Sequence, residues 1–92
     1  MAQLSQVSEG QFQLSGELTR FKSLDSLNVT ANGTQVELNL AALSLVDTAG
    51  LAWLLQQGIK LDNQGCQLEI VNPSDKLIKL ARISGVDDIL GV

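Results

Sequence analysis

The sequence predicts an α/β layer fold: a four- to five-stranded mixed sheet with helices packed on it. Three observations carry that expectation. Two short alternating stretches near the N-terminus, Leu4–Val7 and Gln11–Gly16, are joined by Ser8-Glu9-Gly10, a turn signal, and read as an antiparallel hairpin. Later alternating stretches are separated by amphipathic helical ones, so their connections are crossovers and their pairing is parallel. The bulk agrees: 92 residues, 45% hydrophobic and 17% charged, suit one domain over residues 1–92.

In chain order, Phe12 and Leu14 share one face of the second strand. Leu18, Phe21, Leu24 and Leu27 recur at helical spacing, with Arg20, Lys22, Asp25 and Ser26 mostly elsewhere. This predicts a helix opened by Thr19 as N-cap and closed before Ala31-Asn32-Gly33-Thr34. Gln35–Leu40 alternates again, with Val36, Leu38 and Leu40 inward. Ala41–Val46 is almost wholly apolar and is expected to be a buried crossing to the next helix.

That central helix is expected from about Thr48 to Asn63. Leu51, Leu54, Leu55, Gly58 and Ile59 form its apolar stripe. At about 100° per residue, Ala49, Trp53, Gln56 and Lys60 lie opposite, so Trp53 is expected to point away from the sheet. Gly65 suits the C′ position. Cys66–Val71 is the next strand. Asn72 is then expected as N-cap, with Pro73 at N1 and Asp75 near N3. Leu77, Leu80, Ala81 and Ser84 form the inner stripe of that helix, Gly85 stops it, and Val86–Leu90 adds a last helical turn.

Composition excludes several functions. The net charge of −4 and the lack of a basic patch argue against nucleic-acid binding and polybasic membrane attachment. No apolar run reaches membrane-span length, and the N-terminus has no signal-peptide pattern. A lone Cys66 cannot close an intramolecular disulfide, which fits a reducing compartment, so a cytoplasmic location is expected. There is no His, hence no Ser-His or Cys-His arrangement and no His-based metal site, and no Walker-type glycine-rich loop. The chain reads as a non-enzyme with no cofactor.

Chemistry concentrates at the start of the central helix. Asp47, Thr48 and Gly50 stand where unpaired backbone N–H groups and a partial positive charge favour oxygen ligands. Asp47 and Thr48 can simply cap the helix, a role worth about 1 kcal/mol. Gly50 can allow close packing of helix on sheet. Thr48 also offers a donor, an acceptor and a methyl group to another protein. An exposed Trp53 would be an interface anchor, and could equally lie flat over neighbouring Leu or Lys stems.

Val36-Glu37-Leu38-Asn39-Leu40, the apolar link and Asp47-Thr48-Ala49-Gly50-Leu51, with Gly16-Glu17-Leu18 upstream, resemble the STAS domain family. This family is shared by bacterial anti-sigma factor antagonists and anion-transporter tails. Val46–Ala52 followed by Leu54-Leu55, and Lys79–Val86 near the end, are similar to its MlaB-like members. Those are small cytoplasmic subunits of Mla-type phospholipid-transport ABC systems in Gram-negative bacteria.

The resemblance implies a STAS fold and a binding module. It places partner binding on Asp47, Thr48 and Ala49, with Trp53, Gln56 and Lys60 extending the face and Gly50 structural at the helix start. The implied partner is an Mla-type ABC transporter ATPase subunit and, through it, the membrane permease that maintains outer-membrane lipid asymmetry. The chain would then lie at the inner membrane through the transporter, with no membrane insertion of its own. The alternative within the family is an anti-sigma factor antagonist with Thr48 as phosphoacceptor. Four departures weaken that alternative: Thr48 for the common Ser, Ala49 for a second hydroxyl, and Thr19 and Asn39 for common Asp residues.

Overall fold

The computed structural model describes residues 2–19 and 27–92. Strands β1 (Gln3–Ser8) and β2 (Gln11–Leu18) form the antiparallel hairpin. Next come β3 (Gln35–Asn39), β4 (Leu43–Val46), helix α1 (Thr48–Asp62), β5 (Gln67–Val71), α2 (Asp75–Ile83) and α3 (Asp87–Leu90). The sheet has five strands in the order β1-β2-β3-β5, and β4 takes up β2 beyond the point where β3 leaves it. The β2–β3, β2–β4 and β3–β5 pairs are parallel, so the sheet is mixed as the crossovers require.

The alternation seen in the sequence sorts the two faces. Phe12, Leu14, Leu18, Val36, Leu38, Val46 and Ile70 are buried on one side. They meet Leu51, Leu54 and Leu61 of α1, Leu77 and Ala81 of α2 and Leu90 of α3 in a single cluster. Each fully buried Leu or Val contributes about 1.5–3 kcal/mol relative to exposure. Between these positions stand polar residues, among them Gln13, Ser15, Glu37, Gln67 and Glu69, all exposed or half-buried. One face of the sheet therefore carries the core and the other is polar.

Several local expectations change. Leu18 does not belong to the helical stripe. It closes β2, because the β2 backbone beyond Gly16 finds a hydrogen-bonding partner in β4. Thr19 is buried at a bend straight after the strand; Arg20 to Ser26 of the expected helix lie outside the described residues, and its expected last turn, Leu27 to Thr30, is not helical, because that stretch is laid along α1 by its hydrogen bonds to Trp53 and Gln57. Ala41–Val46 is not a buried crossing. Its last four residues are β4, with Leu45 39% exposed and Ser44 donating its hydroxyl to Gly16 O at 2.9 Å. A four-residue strand is too short for its period to show in the sequence.

Helix α2 begins two residues later than expected. Ser74, not Asn72, is the N-cap, and its Oγ accepts from Leu77 N–H at 3.1 Å. Asn72 instead sits at φ +54°, a left-handed conformation Asn tolerates, and its side chain donates to Asn39 Oδ1 at 3.3 Å. Ser84 is exposed, so the inner stripe of α2 is carried by Leu77 and Ala81 with Leu80 half-buried. At the end of α1, Gly65 at φ +72° occupies the left-handed position. The Cys66 N–H bonds Leu61 O and the Gly65 N–H bonds Asp62 O, closing a Schellman turn. Cys66, just ahead of β5, is fully buried.

A candidate docking site at the start of the central helix

The link from β4 to α1 sets the geometry. Asp47 is extended, at φ −119° and ψ −170°, and its Oδ1 accepts from the Gly50 N–H at 3.0 Å. Its own N–H donates to Leu18 O at 3.3 Å, and its carbonyl accepts from Leu51 N–H at 2.9 Å. The carboxylate thus satisfies an orphan donor at the positive end of the helix.

Gly50 faces the end of β2. A Cβ built there would lie 2.1 Å from Leu18 O and 2.9 Å from Val46 Cγ2. The opposing atom is a backbone carbonyl held in the sheet, so only glycine fits. This contact sets which side of α1 turns inward.

The buried residues of α1 are Gly50, Leu51, Trp53, Leu54, Gln57 and Leu61. The inner face is rotated by roughly a quarter turn from the expected stripe, so Ile59 is 58% exposed and Trp53 is only 4% exposed. Trp53 does not point into solvent. Its Nε1 donates to Leu27 O at 3.0 Å, and Gln57 Oε1 one turn on accepts from Val29 N–H at 2.9 Å. Together they seat residues 27–29 along the flank of α1, with Val29 fully buried. Lys60 Nζ continues the row, donating to Asn28 Oδ1 at 3.3 Å. The face assigned to exposed contacts is thus partly covered by the chain itself.

Thr48 is exposed at the first position of the helix and Ala49 is half-buried beside it. Ala49, Ala52, Trp53 and Gln56 line a shallow groove of about 390 Å³ against Leu27 and Asn28. The fold therefore brings Ala49, Trp53 and Gln56 together and sets Thr48 and Asp47 just ahead of them in the helix. Lys60 is engaged with Asn28, a turn beyond. Gln57 was missed as part of this arrangement. Its signal was present: positions 50, 54, 57 and 61 follow a 4-3-4 spacing that places Gln57 inside a buried stripe.

The arrangement presents a hydroxyl in the open at a positive helix end, next to a carboxylate and a shallow groove. It can receive a partner side chain, and a phosphate on Thr48 would add about −1.5 to −2 charge beside Asp47. No group of three or more His, Cys, Asp or Glu among the described residues is placed to hold a metal ion. No helix among them is long and apolar enough to cross a membrane.

A family profile described as "Mlab, STAS domain" matches residues 1–91. No curated protein matches the chain. Solved structures that share its fold include two of an anti-sigma factor antagonist. The anti-sigma factor antagonist SpoIIAA in its unphosphorylated form superposes with a TM-score of 0.63 at 18% identity, covering 100% of both chains. The Bacillus cell fate determinant SpoIIAA in its phosphorylated form gives 0.67 at 23% identity, covering 96% of this chain and 86% of that one.

Proposed function

The chain belongs to the MlaB-like STAS family, and from that premise we propose that it is a non-catalytic subunit that binds the ATPase subunit of an Mla-type ABC phospholipid transporter. In this reading it supports assembly and activity of the transporter in maintaining outer-membrane lipid asymmetry. It works in the cytoplasm, held at the inner membrane through the ATPase and permease. STAS domains are protein-interaction modules, and the observation that carries the reading is the exposed Thr48 on a rigid, capped helix start that opens onto a groove.

Thr48, Ala49 and Gln56 supply the contacts. Asp47 holds the helix start in shape, and Trp53 supports the groove from below rather than projecting into the partner. Lys60 contributes at the margin, where it is already tied to Asn28.

The test is affinity purification of the tagged chain from its own cells, with Thr48→Arg as the comparison. Copurification of an ABC ATPase, lost in Thr48→Arg while the variant stays folded, supports the reading. Copurification of a serine-kinase anti-sigma factor overturns it. That second reading keeps Thr48 as a phosphoacceptor and draws on the exposed hydroxyl and on a fold shared with an antagonist known in phosphorylated and unphosphorylated forms. Mass spectrometry of native Thr48 decides it, since lasting absence of phosphate removes the switch.

A further inference from the structure

A second surface lies on the far side of α1. Among the described residues β5 is an edge strand, paired only with β3. Gln67 N–H donates to Thr34 O at 2.9 Å and Val71 O accepts from Leu40 N–H at 3.0 Å, so the odd-numbered residues of β5 bond towards β3. The N–H and C=O groups of Leu68 and Ile70 consequently point away from the sheet, and no backbone bond from the described residues meets them.

The two sides of this edge differ in chemistry. On the helix side, Leu55, Ile59, Leu68, Ile70, Ile89 and Leu90 line a groove of about 370 Å³. Ile59 and Ile89, 58% and 72% exposed, leave apolar surface open along this groove. On the other side stand Glu69 and, in register beside it, Glu37, with Gln35 donating to the Glu69 carboxylate. Asp62 lines the groove and Asp88 the adjoining cleft, and no Lys or Arg lines either.

We propose that this edge is a docking site for an extended segment of a partner protein in which apolar and basic residues alternate. Such a segment adds a strand to β5 through Leu68 and Ile70. Its apolar side chains enter the groove, and its Lys or Arg side chains, pointing the other way, meet Glu69 and Glu37. Charge selects this occupant. A second copy of the chain would bring another −4 to an acidic edge, and a fatty acid would find no cation for its carboxylate. The site does not depend on the assignment of the helix-start face. Leu55, Ile59 and Asp62 lie roughly a third of a turn around α1 from Ala49, Gln56 and Lys60, so both surfaces can be occupied together.

The probe is a capped peptide of four Lys-Val repeats titrated into the full chain, with four Glu-Val repeats as the reversed-charge control. The expected result is saturable binding of the Lys-Val peptide alone, with slowed amide exchange at Leu68 and Ile70. Ile89→Glu and Glu69→Lys should each weaken it about tenfold, and Ile59→Glu should do the same from the opposite wall. Binding that survives Ile89→Glu and Ile59→Glu unchanged would mean charge attraction alone and overturn the proposal. Unaltered exchange at Leu68 and Ile70 would also overturn it. So would self-association of the free chain that Ile89→Glu abolishes, or uptake of oleate in place of the peptide.

Discussion

Trp53 is the only tryptophan in the chain, and it spends its indole N–H on the carbonyl of Leu27. Replacing it with Phe removes the donor and leaves that carbonyl short of a partner, so we expect a loss of about 1 kcal/mol or more in unfolding free energy. Chemical denaturation of Trp53→Phe against Gln57→Leu checks this, because both residues hold the same segment and their effects should not add. Gly50 is the stricter position. A methyl group there meets a sheet carbonyl, and Gly50→Ala should cost about 3 kcal/mol. The melting temperature reads that directly. Thr48 behaves in the opposite way: it is exposed, so Thr48→Arg should leave melting unchanged while, on the proposed reading, abolishing copurification of an ABC ATPase.

Among the elements, α2 shows how small a signal decides a boundary. Asn72-Pro73-Ser74-Asp75 contains two residues able to cap, Asn72 and Ser74. The left-handed φ of Asn72 and its bond to Asn39 remove it from capping, and Ser74 takes the role. Ser74→Ala should therefore cost about 1 kcal/mol, most of a cap. Amide exchange should localise the loss to Leu77 at the first turn of α2. β4 is the other instructive element. Its residues carry no strand period, and it exists because Gly16 to Leu18 would otherwise leave backbone groups unpaired beside the helix start. By pairing there, β4 delivers Val46 and Asp47 to the end of β2, where Leu18 O holds the Asp47 N–H and abuts Gly50.

For the whole molecule, the two proposals place separate partner faces on one domain, both served by α1. The helix start and its groove present Thr48, Ala49 and Gln56. The β5 edge presents Leu68, Ile70 and the Ile59–Ile89 groove. The proposals for these faces separate cleanly. Ile89→Glu should reduce Lys-Val peptide binding and spare ATPase copurification, whereas Thr48→Arg should do the reverse. Rising salt should weaken peptide binding steeply, since its basic side chains meet exposed carboxylates.

Much of this was legible in the amino-acid order, and the remainder has a physical reason for having been hidden. The period-two pattern of Phe12, Leu14, Val36, Leu38 and Ile70 determined which sheet face is buried, because a strand places alternate side chains on opposite sides. The Gly turn of the hairpin, the crossovers and Gly65 after α1 determined the mixed sheet and where its central helix ends. Asp47-Thr48-Ala49-Gly50 marked the helix start because capping is a local interaction between residues two or three apart. The rotation of α1 was decided only in three dimensions. Apolar residues occupy more than half of that helix, so its own period left two stripes open. The choice between them was made by a contact across the sequence, the Leu18 carbonyl against Gly50, together with residues 27–29 covering Trp53 and Gln57. The same holds for β4 and for the open edge of β5: pairing is a property of two strands, and one strand's residues do not state which neighbour, if any, its backbone will find.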